Sequence, residues 1–456
     1  MRSAKFTLGL FVTVLFCAAS LCAQAVKITW VGQACFYISD GTATVVTDPP
    51  AANIGYALPD STANVVTISH NHGDHNFSQG VKGTFTLVDG RPTTRRTEVN
   101  AGGLPFIQIP GFHDNTNGSA RGPNTLVRWT QGGLQFAHMG DYGQDQLTPE
   151  QMADMKGLDV LFVAAGGNFT PDARAISGQI TQIAPRVAIL MHYRTGLGGP
   201  AALAPVPDVA AGFNGRVQYK PAATMISRAT LPATPEVWLM EPLGDLTAVN
   251  PGSYTPAMPV GSGSVVSLFG NFAGSKSASS ATLPLLRKLE HMEVLVDGAV
   301  APLLFVSAGK INLQAPTKPT TQSLVEVRVG GQRVARGLMN IVRAAPGLLL
   351  AVNQDGRTNT ASSPARADES LQLYATGLGP AAPAVEDGTS RFAVPLETPT
   401  ALLGGVAVTP HYTALVPGLV GIWRVDVLIP GSVRPGDTPV SLTQGFSSAS
   451  LSVAIR

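Results

Sequence analysis

The sequence predicts an α/β layered domain at the front of the chain and an all-β half behind it, and three observations carry that reading. Up to about residue 200, short apolar strands alternate with turns and then with two helix-like stretches. From about Ser264 onward, period-two strands broken by Gly, Pro and Asn continue to Arg456 with few helix signals. Every clustered histidine falls in the front half, most densely in Ser69-His70-Asn71-His72-Gly73-Asp74-His75.

In chain order, Arg2 and Lys5 precede an apolar run from Phe6 to about Leu21, followed by Ala23-Gln24-Ala25. This basic, apolar, small-residue order is that of a secretory signal peptide over residues 1–25, so a secreted or periplasmic chain is expected after cleavage near Ala25. The run is short for a membrane span, and no later segment is apolar for long enough. Cys22 raises lipidation, for which Leu21 is a poor neighbour. Cys35 is the one cysteine beyond the leader, so no internal disulfide is available, and it reads as a small buried hydrophobe.

Strands are expected at Val26 to Val31, Ala43 to Thr47, Val65 to Ile68, Thr84 to Val88, Leu126 to Trp129 and Leu134 to His138. Thr148-Pro149-Glu150 opens a helix, with Thr148 as cap and Pro149 at the first position. Thr170-Pro171-Asp172 opens another, running to about Ile183. Strands Val160 to Ala164 and Val187 to Met191 follow these helices. Together they mark a domain over residues 26–245.

The Pro-, Gly- and Ser-rich stretch that ends at Gly263 reads as a linker over residues 246–263. Beyond it the chain repeats itself. Ile311-Asn312-Leu313-Gln314-Ala315-Pro316 parallels Val425-Asp426-Val427-Leu428-Ile429-Pro430, and Val325 to Gly330 parallels Val440 to Gly445. Two tandem Ig-like sandwich units, residues 264–353 and 354–456, are therefore expected. A net charge of +2 with 13% charged residues offers no electrostatic basis for nucleic-acid binding. The 49 glycines and 35 prolines agree with a loop-rich, strand-heavy chain.

His70, His72, Asp74 and His75 fall within six residues, which no ordinary folded segment needs, because each buried polar group must find a partner. Imidazole with carboxylate is the ligand set of zinc and similar divalent cations. His70 and His72 point the same way in an extended segment, and Gly73 allows a turn that aims Asp74 and His75 elsewhere. His113, Asp141 and His192 each follow an apolar strand and extend the candidate set.

These residues resemble the metallo-β-lactamase superfamily, whose His-x-His-x-Asp-His signature matches His70, His72, Asp74 and His75, with His113, Asp141 and His192 in the family's order. The likeness covers roughly Val26 to Pro242 and is nearest to the predicted zinc-dependent hydrolases that include the ascorbate-phosphate lactonases. His113-Asp114, Arg121-Gly122-Pro123-Asn124, His138-Met139-Gly140-Asp141, Gly166-Gly167 and Met191-His192-Tyr193 carry it. The resemblance implies a four-layer αββα sandwich with two divalent metal ions, zinc first and manganese or iron as alternatives. His70, His72 and His113 would hold one ion, Asp74, His75 and His192 the other, and Asp141 would bridge them. Such a site activates water to cleave an ester, lactone, amide or phosphoester of a small-molecule substrate, with Asp74 orienting the nucleophile and carrying its proton.

Four residues have weaker expected roles. Asp114 would orient His113, Arg121 would bind a substrate anion or close a loop, His138 would support the ligands from behind or be structural rather than serve as an eighth ligand, and Tyr193 would polarise the scissile group or simply pack. Asp48 is expected to support the ligand loop from below. The strand-rich half resembles a terminal module of large secreted bacterial proteins, which implies cell-surface or extracellular contact. Two other readings exist: a mononuclear iron oxidoreductase on the same fold, and a surface-binding protein with an inert enzyme domain.

Overall fold

The structure is a computed structural model that describes residues 24–456 apart from 257 and 273–275. The leader expected over residues 1–25 lies outside the described residues except for Gln24 and Ala25. Among the described residues no helix is long and apolar enough to cross a membrane.

Two sheets build the front domain. The six-stranded sheet runs Ala223–Ile226, Val26–Gly32, Cys35–Ser39, Thr44–Thr47, Val65–Ile68, Thr86–Asp89. The eight-stranded sheet runs Gln218–Lys220, Glu236–Met240, Val187–Met191, Val160–Ala164, Leu134–His138, Pro123–Gln131, Leu104–Phe112, Thr97–Ala101. They face each other through aromatic side chains, because alternate residues of a strand share a face. Phe36 of the first meets Phe162 of the second at 4.4 Å between ring centroids, and Trp129 and Phe136 stack on the same group.

Leu161 and Val163 alternate with the inward-facing Phe162, so they must be covered from the other side. Helices Ala173–Ile183 and Val206–Gly212 supply Ile176, Ile180, Ile183, Val206 and Val209 to the same apolar core. Thr148 caps helix Pro149–Asp154 in a reciprocal box with Gln151, as expected from Thr148-Pro149. The second helix starts slightly later than expected, because the Asp172 side chain accepts the Ala175 N–H and so forms the cap.

The outer face of the six-stranded sheet departs from a four-layer αββα arrangement. Val31, Cys35, Tyr37, Val46 and Val66 are covered by Tyr56, Ala63, Val81 and Leu197, with Leu338 from the strand-rich half inserted among them. Among the described residues no α-helix joins this cluster. Helix Ala52–Ile54 and helix Ser78–Gly80 in this region are single 3-10 turns. The first β unit thus takes the place of the missing helical layer. The Arg336 guanidinium strengthens this seam by donating to the Gly55 and Leu197 carbonyls, the first at 2.5 Å. Replacing Leu338 with alanine should destabilise the front domain by about 2–5 kcal/mol, the usual cost of truncating a buried leucine. Urea unfolding followed by the tryptophan fluorescence of Trp30 and Trp129 measures this, and an unchanged midpoint would mean that the seam does not form.

The strand-rich half consists of two pairs of larger sheets, each pair with its own core, and a two-stranded ribbon of Ala381–Ala382 with Val394–Pro395. Leu268, Leu313, Val294 and Val327 lie in the first core, and Leu373, Val425, Leu403 and Val440 in the second. Two expected boundaries need correction. Residues 246–263 are not a free linker, since Leu246–Val249 pairs with Val265–Gly270 and Val260–Gly261 pairs with Gln332–Val342. Their glycines serve close packing: a Cβ on Gly252 would lie 2.5 Å from the Gly347 carbonyl carbon. The second unit also begins before residue 354, because Gly347–Val352 pairs with Ser370–Thr376.

Candidate metal centre

Ligand-type side chains converge where strand ends of both sheets meet. Ser69–His75 follows strand Val65–Ile68, while His113, Asp141 and His192 follow or nearly follow Leu104–Phe112, Leu134–His138 and Val187–Met191. Sharp exits turn these residues inward. His192 has a left-handed φ of 56°, as does Gly140 immediately before Asp141. A side chain at Gly140 would meet Asn124 Oδ1 at 2.4 Å, so this exit admits only glycine.

The structure brings all seven of the expected residues together. His70, His72 and His113 form one group of ligand atoms within 4.8 Å of one another, and Asp74, His75 and His192 form a second. Asp141 Oδ2 lies between the groups, 3.2 Å from His113 Nε2, 3.0 Å from His192 Nε2, 3.4 Å from His75 Nε2 and 3.9 Å from His70 Nε2. His72 is exposed at the mouth, and Asp74 is partly exposed beside it. The others are buried.

A third close group contains Asp48, His70 and His75, but Asp48 already has other work. Its Oδ1 accepts the Ser69 N–H, and its Oδ2 accepts the Ser69 hydroxyl and pairs with His75 Nδ1 at 3.0 Å. This is the expected support for the ligand loop. It also turns His75 Nε2 toward Asp141. The Ser69 hydroxyl stands 2.9 Å from His70 Nδ1, which leaves His70 Nε2 for the site. Such outer hydrogen bonds orient metal-binding imidazoles.

The residues fit divalent cations by an independent physical criterion. Buried polar groups normally have partners. Here His70 Nε2, His75 Nε2, His113 Nδ1, Asp141 Oδ1 and both ring nitrogens of His192 are buried with none. This many orphaned ring nitrogens and carboxylate oxygens in one buried His/Asp cluster is the donor set of a cation site. Charge points the same way. Burial, then His75, pushes His70 down to about 3, so its imidazole is neutral at ordinary pH. Burial would raise Asp141, but the charges of His192 and His75 outweigh it and hold the carboxyl well below its ordinary range. Asp74 is likewise held low, its burial outweighed by the His192 and His75 imidazoles close to it.

Of the weaker expectations, that for Asp114 is corrected, and the other three side chains take the structural alternative already expected for each. Asp114 does not orient His113. Its oxygens accept the backbone N–H groups of Thr116, Gly118, Ala120 and Arg121, so it shapes its own loop. Tyr193 cannot reach a substrate, because it is fully buried and its hydroxyl donates to the Met240 carbonyl. His138 is structural: Nε2 meets the Ala34 carbonyl at 2.9 Å and Nδ1 accepts the Gly140 N–H. Exposed Arg121 bonds to the Asn168 carbonyl and stacks over Phe169 at 5.0 Å, rather than joining a carboxylate.

Two residues at the site were given no role from the sequence. Asn124 is fully buried, accepts the Asp141 N–H through Oδ1 and donates to the Met139 carbonyl. Gln33 is also fully buried and donates to Asp74 Oδ2 at 2.8 Å. Asn124 stood in the Arg121-Gly122-Pro123-Asn124 motif without a task of its own, and for Gln33 the one local signal is Gly32 before it.

Against known families, residues 27–192 match the family described as "Beta-lactamase superfamily domain". Residues 27–192 are a metallo-β-lactamase superfamily domain. The metallo-β-lactamase domain has relatives named metal-dependent hydrolases. A UPF0173 metal-dependent hydrolase of Carboxydothermus hydrogenoformans is 29% identical over 198 residues, covering 37% of this chain and 85% of the relative. One from Pyrococcus furiosus is 27% identical over 202 residues, with coverages of 37% and 85%. A solved metallo-β-lactamase superfamily structure from Thermotoga maritima is 29% identical, covers 48% of this chain and 100% of its own, and has a TM-score of 0.38.

Proposed function

We propose that this chain is a hydrolase whose front domain holds two adjacent divalent cations and cleaves an ester, lactone, amide or phosphoester of a small-molecule substrate. The supporting observation is the pair of three-residue groups on either side of Asp141. His70, His72 and His113 would hold one cation, Asp74, His75 and His192 the other, and Asp141 would contact both. Zinc suits the imidazole-rich donors best, with manganese and iron as alternatives. When bound, such cations acidify water toward neutral pH and clamp the attacking and leaving oxygens.

The chain's own residues do the rest. Asp48 and Ser69 fix the ring orientations of His75 and His70. Asn124 holds the Asp141 backbone. Asp74, a carboxylate at the partly open side, is placed to take a proton from the attacking water and return it to the leaving group. The water oxygen then bonds to the substrate as the scissile bond breaks, so the proton ends on the departing atom. Exposed Arg121 lies on a neighbouring loop and has N–H groups to offer a substrate carboxylate or phosphate. Export is proposed from the leader-like residues 1–25, and surface contact from the strand-rich half.

Metal analysis of purified full-length protein, followed by lactone, phosphodiester and amide panels, tests the reading. Two divalent cations per chain and hydrolysis in one panel are expected. One iron per chain with oxygen consumption would overturn it.

A further inference from the structure

Gln33 occupies the tip of the hairpin between Val26–Gly32 and Cys35–Ser39, just beyond an irregularity in the pairing between Trp30 and Gly32. Its backbone is left-handed, with φ 52°, and Gly32 before it is pressed against the Tyr56 ring. A glutamine gains nothing from a left-handed, fully buried hairpin tip unless its polar groups are used there. They are used on two ligand residues from distant parts of the chain. Its side-chain amide donates to Asp74 Oδ2 at 2.8 Å, and its carbonyl accepts the His192 N–H at 3.0 Å. The Trp30 indole N–H binds the same carbonyl at 3.1 Å and locks the tip.

Asp74 Oδ2 also faces His75 Nε2 at 3.4 Å and His192 Nε2 at 3.6 Å. The Gln33 amide therefore ties down the oxygen that belongs to this ligand group. Among the described residues no donor reaches Oδ1 of Asp74. The two carboxylate oxygens are thereby distinguished, Oδ2 anchored and Oδ1 left without a donor among the described residues on a side chain that is partly exposed. Gln33 Oε1, buried and without a partner, is a further acceptor beside the same group.

We propose that Gln33 is a positioning residue for the reaction, fixing Asp74 and His192 together so that Asp74 Oδ1 is presented to the attacking water. The catalytic part of this inference rests on the hydrolytic function proposed above. Gln33→Leu keeps a branched side chain of comparable bulk, one atom shorter, and removes the amide. Gln33→His keeps a ring N–H at the same reach and tolerates left-handed backbone.

Full-length variants saturated with cation are compared by turnover, by cation stoichiometry and by the visible spectrum of the cobalt-substituted protein. Gln33→Leu should lower kcat by roughly 10- to 100-fold, the usual effect of losing an outer hydrogen bond to a ligand. KM, stoichiometry and melting temperature should barely change, and Gln33→His should recover most of the loss. The cobalt spectrum should shift in Gln33→Leu and return in Gln33→His. Turnover within twofold of the parent with an unshifted spectrum would overturn the proposal, as would a loss that Gln33→His does not rescue. If the hydrolytic reading alone is wrong, the parent hydrolyses nothing while the cobalt spectrum still responds to Gln33→Leu.

Discussion

Asp74→Ala should lower kcat/KM by roughly a thousandfold, within the range for losing a positioned acid–base group, while the protein stays folded. Asp74 sits on a partly exposed loop, so its removal opens no core cavity. It takes away both a ligand-type oxygen close to His75 and His192 and the carboxylate placed to move the proton. His192→Asn should be comparably damaging, since the imidazole 3.0 Å from Asp141 disappears. Asparagine tolerates the left-handed φ of 56° at this position, so the strand exit is kept. Cation stoichiometry should fall by about one per chain in each variant. Melting curves establish folding and turnover reads the loss. If both variants kept activity within tenfold of the parent, the site would be elsewhere.

Chelation should abolish hydrolysis and lower the melting temperature, with both restored by excess zinc. A cation present at a hundred times its Kd stabilises the folded state by about 2.7 kcal/mol per site. The effect should depend on pH in a definite direction. Without cations, burial would lower His75 and His192, but Asp141 outweighs it and raises both above the ordinary value of 6.5. Their contribution to stability is complete below that value and is lost as pH rises through their folded pKa values. His70, His72 and His138 are shifted down, so above 6.5 they are neutral in both states and add no slope. Asp48, Asp74 and Asp141 are also shifted down, and their contribution is fully present above the ordinary 3.8. Cation binding needs neutral imidazoles and so tightens as pH rises. The gap between loaded and stripped melting temperatures should therefore widen above pH 6.5. A gap that narrows there would contradict the electrostatics of the site.

The site was largely legible because its chemistry is written in unusual residues. His70, His72, Asp74 and His75 are close in sequence, and His113, Asp141 and His192 stand at or near the ends of apolar runs. What escaped was whatever depends on side-chain direction. Asp114 and Tyr193 are next to His113 and His192, and adjacency suggested shared work. Successive side chains at a strand exit point to different sides. Asp114 consequently serves its own loop, and Tyr193 falls into the core against Trp30 at 5.0 Å. Gln33 and Asn124 escaped for the opposite reason. An amide carries no charge and no metal preference, and each acquires its role only when folding brings it to Asp74 or Asp141.

The sequence alone was enough for eight of the fourteen strands and two of the three α-helices of the front domain, the change to strand-rich structure behind it and the identity of the seven clustered residues. Hydrophobic period and ligand chemistry are local properties, readable one segment at a time. The linker and the fourth layer were decided only in three dimensions. Gly252 and Gly261 read as flexible, whereas folding packs them against Gly347 and Gly377. Leu338 lies far along the chain from the sheet that it covers, and no local pattern records which apolar residue will seal an exposed face. That choice depends on long-range packing. The same packing supports the loops before and after the candidate centre, through Gly55 and Leu197.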